Sequence, residues 1–278
     1  MEWLTEPFAL ALQQRALIGG LAASVTTSVV GTWVVLRGMS FIGDALIHGV
    51  IPGIALALLL GFDPVLGAVA AAVVMIGGIN LVHRQTTFSE DTGIGLLFVG
   101  MLGLGVILIS RTASYAGSLT AILFGDALGV SRGDIAGLGV TAALAVAGSV
   151  LFYRPFVVLS LDEAKAELLG LRPRLAHAVM LGLVTLAVVG SFRTVGTLLV
   201  LGLLIGPPAT AALIARRVPT MMVTSVAIGM LSVVGGLVIS YHARTAGSAT
   251  MAVIPVVSFF VVLAARSVID RRRRRHAG

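Results

Sequence analysis

Long apolar stretches separated by short polar or charged segments run along most of this chain. An α-helix needs about 20 apolar residues to cross the hydrocarbon core of a bilayer, and most of the stretches come close to that length. The pattern predicts an all-α, polytopic integral membrane protein, with one transmembrane domain over residues 1–278. The predicted spans are residues 16–36, 41–60, 64–82, 93–110, 134–152, 175–191, 195–214, 220–240 and 247–266. Eight spans remain the alternative, because the shortest stretches could also be re-entrant.

Composition supports a membrane protein and excludes some chemistry. Hydrophobic residues make up 58% of the chain and charged residues 11%, whereas a soluble domain carries roughly a quarter charged residues. The 34 glycines fit closely packed membrane helices. There is no cysteine, which excludes a disulfide framework, a thiolate metal site and a thiol redox couple.

The distribution of basic residues predicts the orientation. When the C-terminus is placed inside, fourteen of the nineteen basic residues fall in inside segments, and five fall outside. The positive-inside rule favours this arrangement, with the N-terminus outside and the C-terminus cytoplasmic. The basic tail, residues 266–278, contains Arg271 to Arg275. We interpret it as an anchor on anionic lipid headgroups of the plasma membrane and expect no nucleic-acid partner.

Two predicted loops are long enough to contain structure. The outside loop, about residues 111–133, is too apolar for a solvated loop and too short to span, which favours a short helix at the membrane interface. It contains Asp126. The inside loop, about residues 154–174, predicts a short amphipathic helix. Ser160 or Asp162 would cap that helix, and Gly170 with Pro173 would end it.

The second span carries the clearest candidate site. Asp44 and His48 lie four residues apart, so both side chains project from one face of a helix. A carboxylate with an imidazole suits a divalent cation such as Mn²⁺, Fe²⁺ or Zn²⁺, and ionisable groups within a span are functional candidates. Two ligands cannot fill a coordination shell, so water or a second chain would complete it. The alternative is a self-satisfied Asp–His pair that holds two helices together.

Prolines within two predicted spans indicate bends. Pro52 with Gly53 should kink the second span, and Pro207 with Pro208 should break the seventh. These residues could act as gating hinges, and a break can expose carbonyl oxygens to a cavity. Plain packing of bent helices is the alternative.

Several enzymatic motifs are absent. The chain has no phosphate-binding loop of the form Gly-x-x-x-x-Gly-Lys-Ser/Thr, and Lys165 is its only lysine. It also lacks His-Glu-x-x-His and Gly-x-Ser-x-Gly. We therefore expect no enzymatic activity from the chain itself.

Several motifs extend along nearly the whole chain, namely Val34 to Gly53, Leu123 to Asp126, Leu161 to Glu163 with Ala166 and Gly170, Val195 to Ala211, and Ser240-Tyr241 with Gly247. These motifs resemble those of the ABC-3 family, the membrane permeases of bacterial manganese, zinc and iron importers. The resemblance implies that two permeases pair, most simply as a homodimer, above two ATP-binding subunits, and that an extracytoplasmic metal-binding protein delivers the ion. It also implies a transported metal, with no permanently bound cofactor.

The resemblance also suggests roles for residues. Asp44 and His48 would bind the metal in transit, and Asp126 would belong to an outer gate or docking surface. The helix of the inside loop would couple the chain to the ATPase subunit, and the residues concerned are Asp162, Glu163, Ala166, Glu167 and Gly170. Only the Ala-x-x-x-Gly part of the family's Glu-Ala-Ala-x-x-x-Gly signature is present.

Three other functions remain open from sequence. A vitamin B12 or iron-chelate permease would want a passage free of carboxylates, which Asp44 disfavours. A secondary metal transporter could use Asp44 as a proton carrier and would need no ATPase. A membrane scaffold would leave Asp44 without a purpose. His177 and His242 are interpreted as packed or interfacial histidines.

Overall fold

The computed structural model describes residues 6–9, 11–86, 90–110 and 131–276. A short 3₁₀ turn, Glu6–Ala9, precedes the first long helix. The helices that follow are α1 (Ala11–Leu36), α2 (Ser40–Gly49), α3 (Ile51–Leu60), α4 (Pro64–Gln85), α5 (Glu90–Ile109), α6 (Arg132–Leu151), α7 (Tyr153–Leu161), α8 (Glu163–Leu168), α9 (Pro173–Val195), α10 (Thr197–Ile214), α11 (Val218–Ala243) and α12 (Gly247–His276).

Nine apolar spans are present in the described part of the chain, as the hydrophobic pattern predicts. They are Gln13–Leu36, Phe41–Leu60, Pro64–Val82, Thr92–Ile109, Gly133–Leu151, Pro173–Phe192, Thr197–Ile214, Val218–Ala243 and Gly247–Ile269. Each is long and apolar enough to cross a membrane. The prediction of an all-α polytopic membrane protein is confirmed.

Helix α1 lies at the centre of the bundle and packs against α6, α9, α10 and α11. It carries a row of buried hydroxyl residues rather than a purely aliphatic face. Thr26, Thr27 and Thr32 satisfy their hydroxyls by donating to carbonyl oxygens one turn earlier, at 2.8–2.9 Å. Small residues let neighbouring helices approach closely, and a threonine hydroxyl that bonds within its own helix is not left unpaired in an apolar surrounding.

The second span is divided into α2 and α3 at Val50. Pro52 has no N–H to donate to the carbonyl of His48, so regular helical bonding fails at this turn. The predicted disruption of the second span is therefore present as the boundary between α2 and α3. Gly53 fixes the direction of α3, because its backbone touches that of Gly67 on α4 and a Cβ on either glycine would overlap the other's carbonyl oxygen.

The predicted break at Pro207 and Pro208 is wrong, because α10 is continuous from Thr197 to Ile214. Pro208 leaves the carbonyl of Leu204 without its helical N–H donor. That carbonyl does not open into a cavity. It lies directly against Gly31 of α1, where a Cβ would overlap it. The close approach of α1 therefore covers the freed backbone group, which agrees with the packing alternative.

The inside loop contains more helix than expected. Residues 153–161 form α7, a helix that was not predicted from the sequence, and α8 is the predicted short helix. Phe156 and Leu159 of α7 are buried, so packing of these apolar residues accounts for the extra helix. Helix α12 also continues through the basic tail to His276. The outside loop segment 111–130, with Asp126 and its predicted helix, lies outside the described residues.

Candidate functional site

Asp44 and His48 form a contact within α2. The Nδ1 atom of His48 lies 3.2 Å from Oδ1 of Asp44 and 3.0 Å from the backbone oxygen of Asp44. The two side chains are 27% and 26% exposed. The pair spans one turn of a single helix, and its two side chains contact each other, as in the alternative of a self-satisfied pair. It also presents two polar groups at a partly open position within an apolar span.

The contact determines which histidine nitrogen is available. Both neighbours of Nδ1 are oxygen acceptors, so in a neutral imidazole the proton lies on Nδ1 and the lone pair lies on Nε2. A carboxylate that holds the opposite ring nitrogen is the usual way in which proteins orient a metal-binding histidine. Asp44 keeps a second carboxylate oxygen for a ligand. The arrangement therefore offers one nitrogen and one oxygen to a cation.

Two aromatic rings limit the movement of this pair. The ring of Phe98, on α5, meets the His48 imidazole edge to face, with centroids 5.6 Å apart. Phe98 also contacts Phe41, at 5.5 Å, and Phe41 lies one turn before Asp44 on α2. Sequence periodicity did not identify Phe98, because its role depends on the packing of α5 against α2. Among the described residues, no group of three His, Cys, Asp or Glu side chains could hold a metal, so further ligands would come from elsewhere.

The short helix α8 has well-defined ends. The Oδ1 of Asp162 accepts the N–H of Lys165 at 3.3 Å, which is the predicted N-cap. At the other end, the N–H of Leu171 donates to the carbonyl of Ala166, and the N–H of Gly170 donates to that of Glu167. This is a Schellman motif, and Gly170 takes the required positive φ of 68°.

The partial family signature therefore has a local structural explanation. In Ala-x-x-x-Gly, Ala166 supplies the carbonyl that closes the motif, and its side chain is buried. Gly170 supplies the left-handed residue that other amino acids adopt with strain. Together they end α8 sharply. The Ala-x-x-x-Gly residues thus determine the shape of the loop at the end of α8.

Three leucines around α8 are conspicuously exposed. Leu161 is 80% exposed, Leu168 87% and Leu169 65%. They belong to a segment that also carries the charged residues Lys165 and Glu167, so they do not belong to a uniformly lipid-facing stripe. Exposed apolar side chains with charged neighbours in one short segment are suited to a protein-docking surface.

A contact that the sequence did not suggest joins this loop to the transmembrane bundle. Arg37, at the end of α1, donates from Nη1 to the carbonyl of Leu159 on α7, at 3.1 Å. Its Nη2 lies 3.3 Å from Nδ1 of His177 on α9. The only sequence signal at Arg37 was its place in the family motif. His177 is a packed histidine at a helix end, in agreement with its interpretation.

The remaining candidate residues are distributed through the fold. Pro52, Pro207 and Pro208 are buried, and Gly53 forms the α3–α4 crossing. His242 packs edge to face on Tyr241 at 5.2 Å. These residues do not form a single site with Asp44 and His48. The gating role of the prolines and Gly53 stays a prediction.

Comparisons with known proteins agree with this picture. The family model described as the ABC 3 transport family matches residues 9–266. The manganese transport system membrane protein MntC of Listeria monocytogenes is 35% identical over 248 residues, which is 89% of this chain and 88% of that protein. A protein of Haemophilus influenzae named as a probable iron transport system membrane protein is 31% identical over 271 residues, covering 98% of this chain and 99% of its own.

A solved structure shares the fold. The PsaBC structure from Streptococcus pneumoniae, determined in complex with a Fab, superposes with a TM-score of 0.83 at 31% identity and covers 94% of each chain. Since the family model and these relatives extend over nearly its full length, this chain belongs to the ABC 3 transport family.

Proposed function

We propose that this chain is the permease subunit of an ATP-binding-cassette importer for a divalent transition metal, Mn²⁺, Zn²⁺ or Fe²⁺. The observation that carries the proposal is the partly open Asp44–His48 pair in an apolar membrane helix. A carboxylate and an imidazole bind these ions well, and burying them in a membrane without a function would be costly. The printed names of the relatives, manganese transport and iron transport, point to the same class of cargo.

The site is suited to transit rather than storage. Two protein ligands leave most of a metal's coordination shell to water or to a second permease chain, so binding stays weak enough for release. A dimer, with the two α2 helices facing a shared path, would double the ligand set. Pro52 and Gly53, directly after the pair, would let α3 keep its fixed contact with α4 while α2 changes its tilt.

Energy for transport would come from a separate ATP-binding subunit. The chain itself has no phosphate-binding loop, and the exposed leucines of α7 and α8 offer a surface for that subunit. This assignment places α8 and the C-terminus in the cytoplasm and the N-terminus outside, as the basic residues predict. On the opposite side, an extracytoplasmic binding protein would deliver the metal near the loop that contains Asp126.

The proposal is tested by reconstituting the chain with its ATP-binding subunit and binding protein in proteoliposomes. Uptake of Mn²⁺, Zn²⁺ and Fe²⁺ is measured in parallel, with ATP, without ATP, and with a proton gradient alone. We expect uptake of at least one ion that requires ATP hydrolysis. Uptake driven by the proton gradient without ATP would contradict the proposal and support a secondary transporter.

The docking surface gives a separate prediction. Leu168→Asp places a charge at one of the exposed leucines, so it should weaken co-purification of the ATP-binding subunit about tenfold or more, the size expected for a central interface residue. Folding should be unaffected because Leu168 is almost fully solvent-exposed. Leu168→Met is the matched control, since it retains an apolar side chain and should bind normally. Equal binding by both variants would remove α8 from the interface.

A further inference from the structure

We propose that Arg37 is a positioning residue that transmits movement of the α7–α8 loop to the helix carrying Asp44 and His48. This inference rests on the proposed function, because it assumes that α8 docks on an ATP-binding subunit. Arg37, the Leu159 carbonyl and His177 are called the Arg37 clasp below.

The clasp joins three elements at one end of the bundle. A guanidinium has N–H donors in a rigid planar fork, and Arg37 uses two different nitrogens for two different helices. One nitrogen reaches the last turn of α7, at Leu159. The other reaches the first turns of α9, at His177. A displacement of α7 relative to α9 therefore acts directly on this one side chain.

Aromatic packing makes α7 and the end of α1 move together. Trp33, one turn before Arg37, is fully buried. Its ring lies 5.2 Å from that of Phe156 and 5.7 Å from that of Tyr153, both in edge-to-face geometry. Closely packed aromatic rings resist sliding. A displacement of α8 therefore moves α7, and the packed rings pass that displacement on to the end of α1.

The turn after Arg37 leads directly to the helix that carries the Asp44–His48 pair. Gly38 has a φ of 68°, its N–H donates to the carbonyl of Val35, and the N–H of Met39 donates to that of Val34. These bonds form a Schellman motif with Arg37 as the C-cap residue. Helix α2 begins at Ser40, so Asp44 lies in its second turn. Only Gly38 and Met39 separate the Arg37 clasp from α2, the helix that carries Asp44 and His48.

The experiment measures the number of metal ions transported per ATP hydrolysed, in proteoliposomes that contain the full complex. Arg37→Ala should lower this ratio about fivefold or more, the range of typical coupling between sites, while ATP hydrolysis and co-purification of the ATP-binding subunit persist. His177→Ala should lower the ratio as well. The double variant should be no worse than Arg37→Ala, since both residues act in one unit. A double loss equal to the product of the single losses would overturn the clasp.

Two further variants keep the test interpretable. Arg216→Ala is the matched control, because it removes an exposed arginine from the α10–α11 turn and should leave the ratio at the wild-type value. If Arg37→Ala does not assemble, Arg37→Lys retains the charge without the planar fork and should also lower the ratio. A wild-type ratio in an assembled Arg37 variant would overturn the proposal.

The same assay separates this inference from the function on which it rests. If the wild-type complex takes up metal with ATP and Asp44→Asn abolishes uptake while Arg37 variants remain coupled, only the clasp fails. If the wild-type complex shows no ATP-driven uptake, the proposed function fails and the clasp's role with it.

Discussion

Asp44→Asn is expected to reduce metal uptake more than about tenfold, which is the loss seen when a residue that supports a metal site is removed. The substitution keeps the size of the side chain and an oxygen acceptor for Nδ1 of His48, so α2 should fold normally. It removes the negative charge that would balance a divalent cation inside an apolar span. The measurement is the initial rate of ATP-dependent uptake, with protein amount and ATP hydrolysis determined in parallel.

Asp63→Asn is the matched control for this prediction. Asp63 is an exposed N-cap of α4, where its Oδ1 accepts the N–H of Val65 at 2.7 Å, and asparagine caps helices about as well as aspartate does. The same chemical change outside the Asp44–His48 pair should therefore leave uptake intact. Full uptake by Asp44→Asn would place the translocation path elsewhere while leaving the family assignment untouched.

The second large effect is structural and concerns the crossing of α3 and α4. Gly67→Ala should destabilise the folded bundle by about 3 kcal/mol, near the upper end of ordinary overpacking. The new Cβ would overlap the carbonyl oxygen of Gly53 and crowd the Cβ of Ala57. Backbone atoms cannot avoid the overlap by changing rotamer, so the helices must separate. The measurement is the thermal unfolding midpoint of the purified chain in detergent.

Gly77→Ala provides a control on the same helix. Apart from the backbone of its own helix, no atom of the described residues lies within 4 Å of a Cβ placed at Gly77, and alanine favours helix over glycine. Stability should therefore be unchanged or slightly raised. If the two variants unfold at the same temperature, the close contact between Gly53 and Gly67 does not support the fold. Helix α3 directly follows the Asp44–His48 pair. If Gly67→Ala is as stable as the wild type but takes up no metal, the crossing of α3 and α4 would instead have a role in transport.

The membrane architecture was accessible from sequence because it depends on local properties. The length and hydropathy of each apolar stretch determine whether a helix can span a bilayer. The i, i+4 spacing of Asp44 and His48 was sufficient to predict that they share a helix face. The two ends of α8 could also be predicted from the sequence, because Asp162 and Gly170 act on backbone groups only a few residues away.

Other features depend on contacts between distant parts of the chain. Pro207 and Pro208 look like helix breakers, yet α10 continues because Gly31, far away in sequence, covers the freed carbonyl. Phe98 contacts His48 of the Asp44–His48 pair only because α5 packs on α2. The Arg37 guanidinium makes hydrogen-bond contacts with Leu159 and His177, which lie more than a hundred residues away in sequence. No local periodicity encodes such pairings, so these contacts could not be predicted from the sequence.

The central claim is that Asp44 and His48 contact the transported metal. Pulsed electron paramagnetic resonance of Mn²⁺ bound to the permease complex, without the binding protein, tests it most directly through the magnetic coupling of Mn²⁺ to imidazole nitrogen. We expect a nitrogen coupling in the wild type that disappears in His48→Gln and persists in the control His242→Gln. Bound Mn²⁺ with no nitrogen coupling in the wild type, or with a coupling that survives in His48→Gln, would contradict the claim.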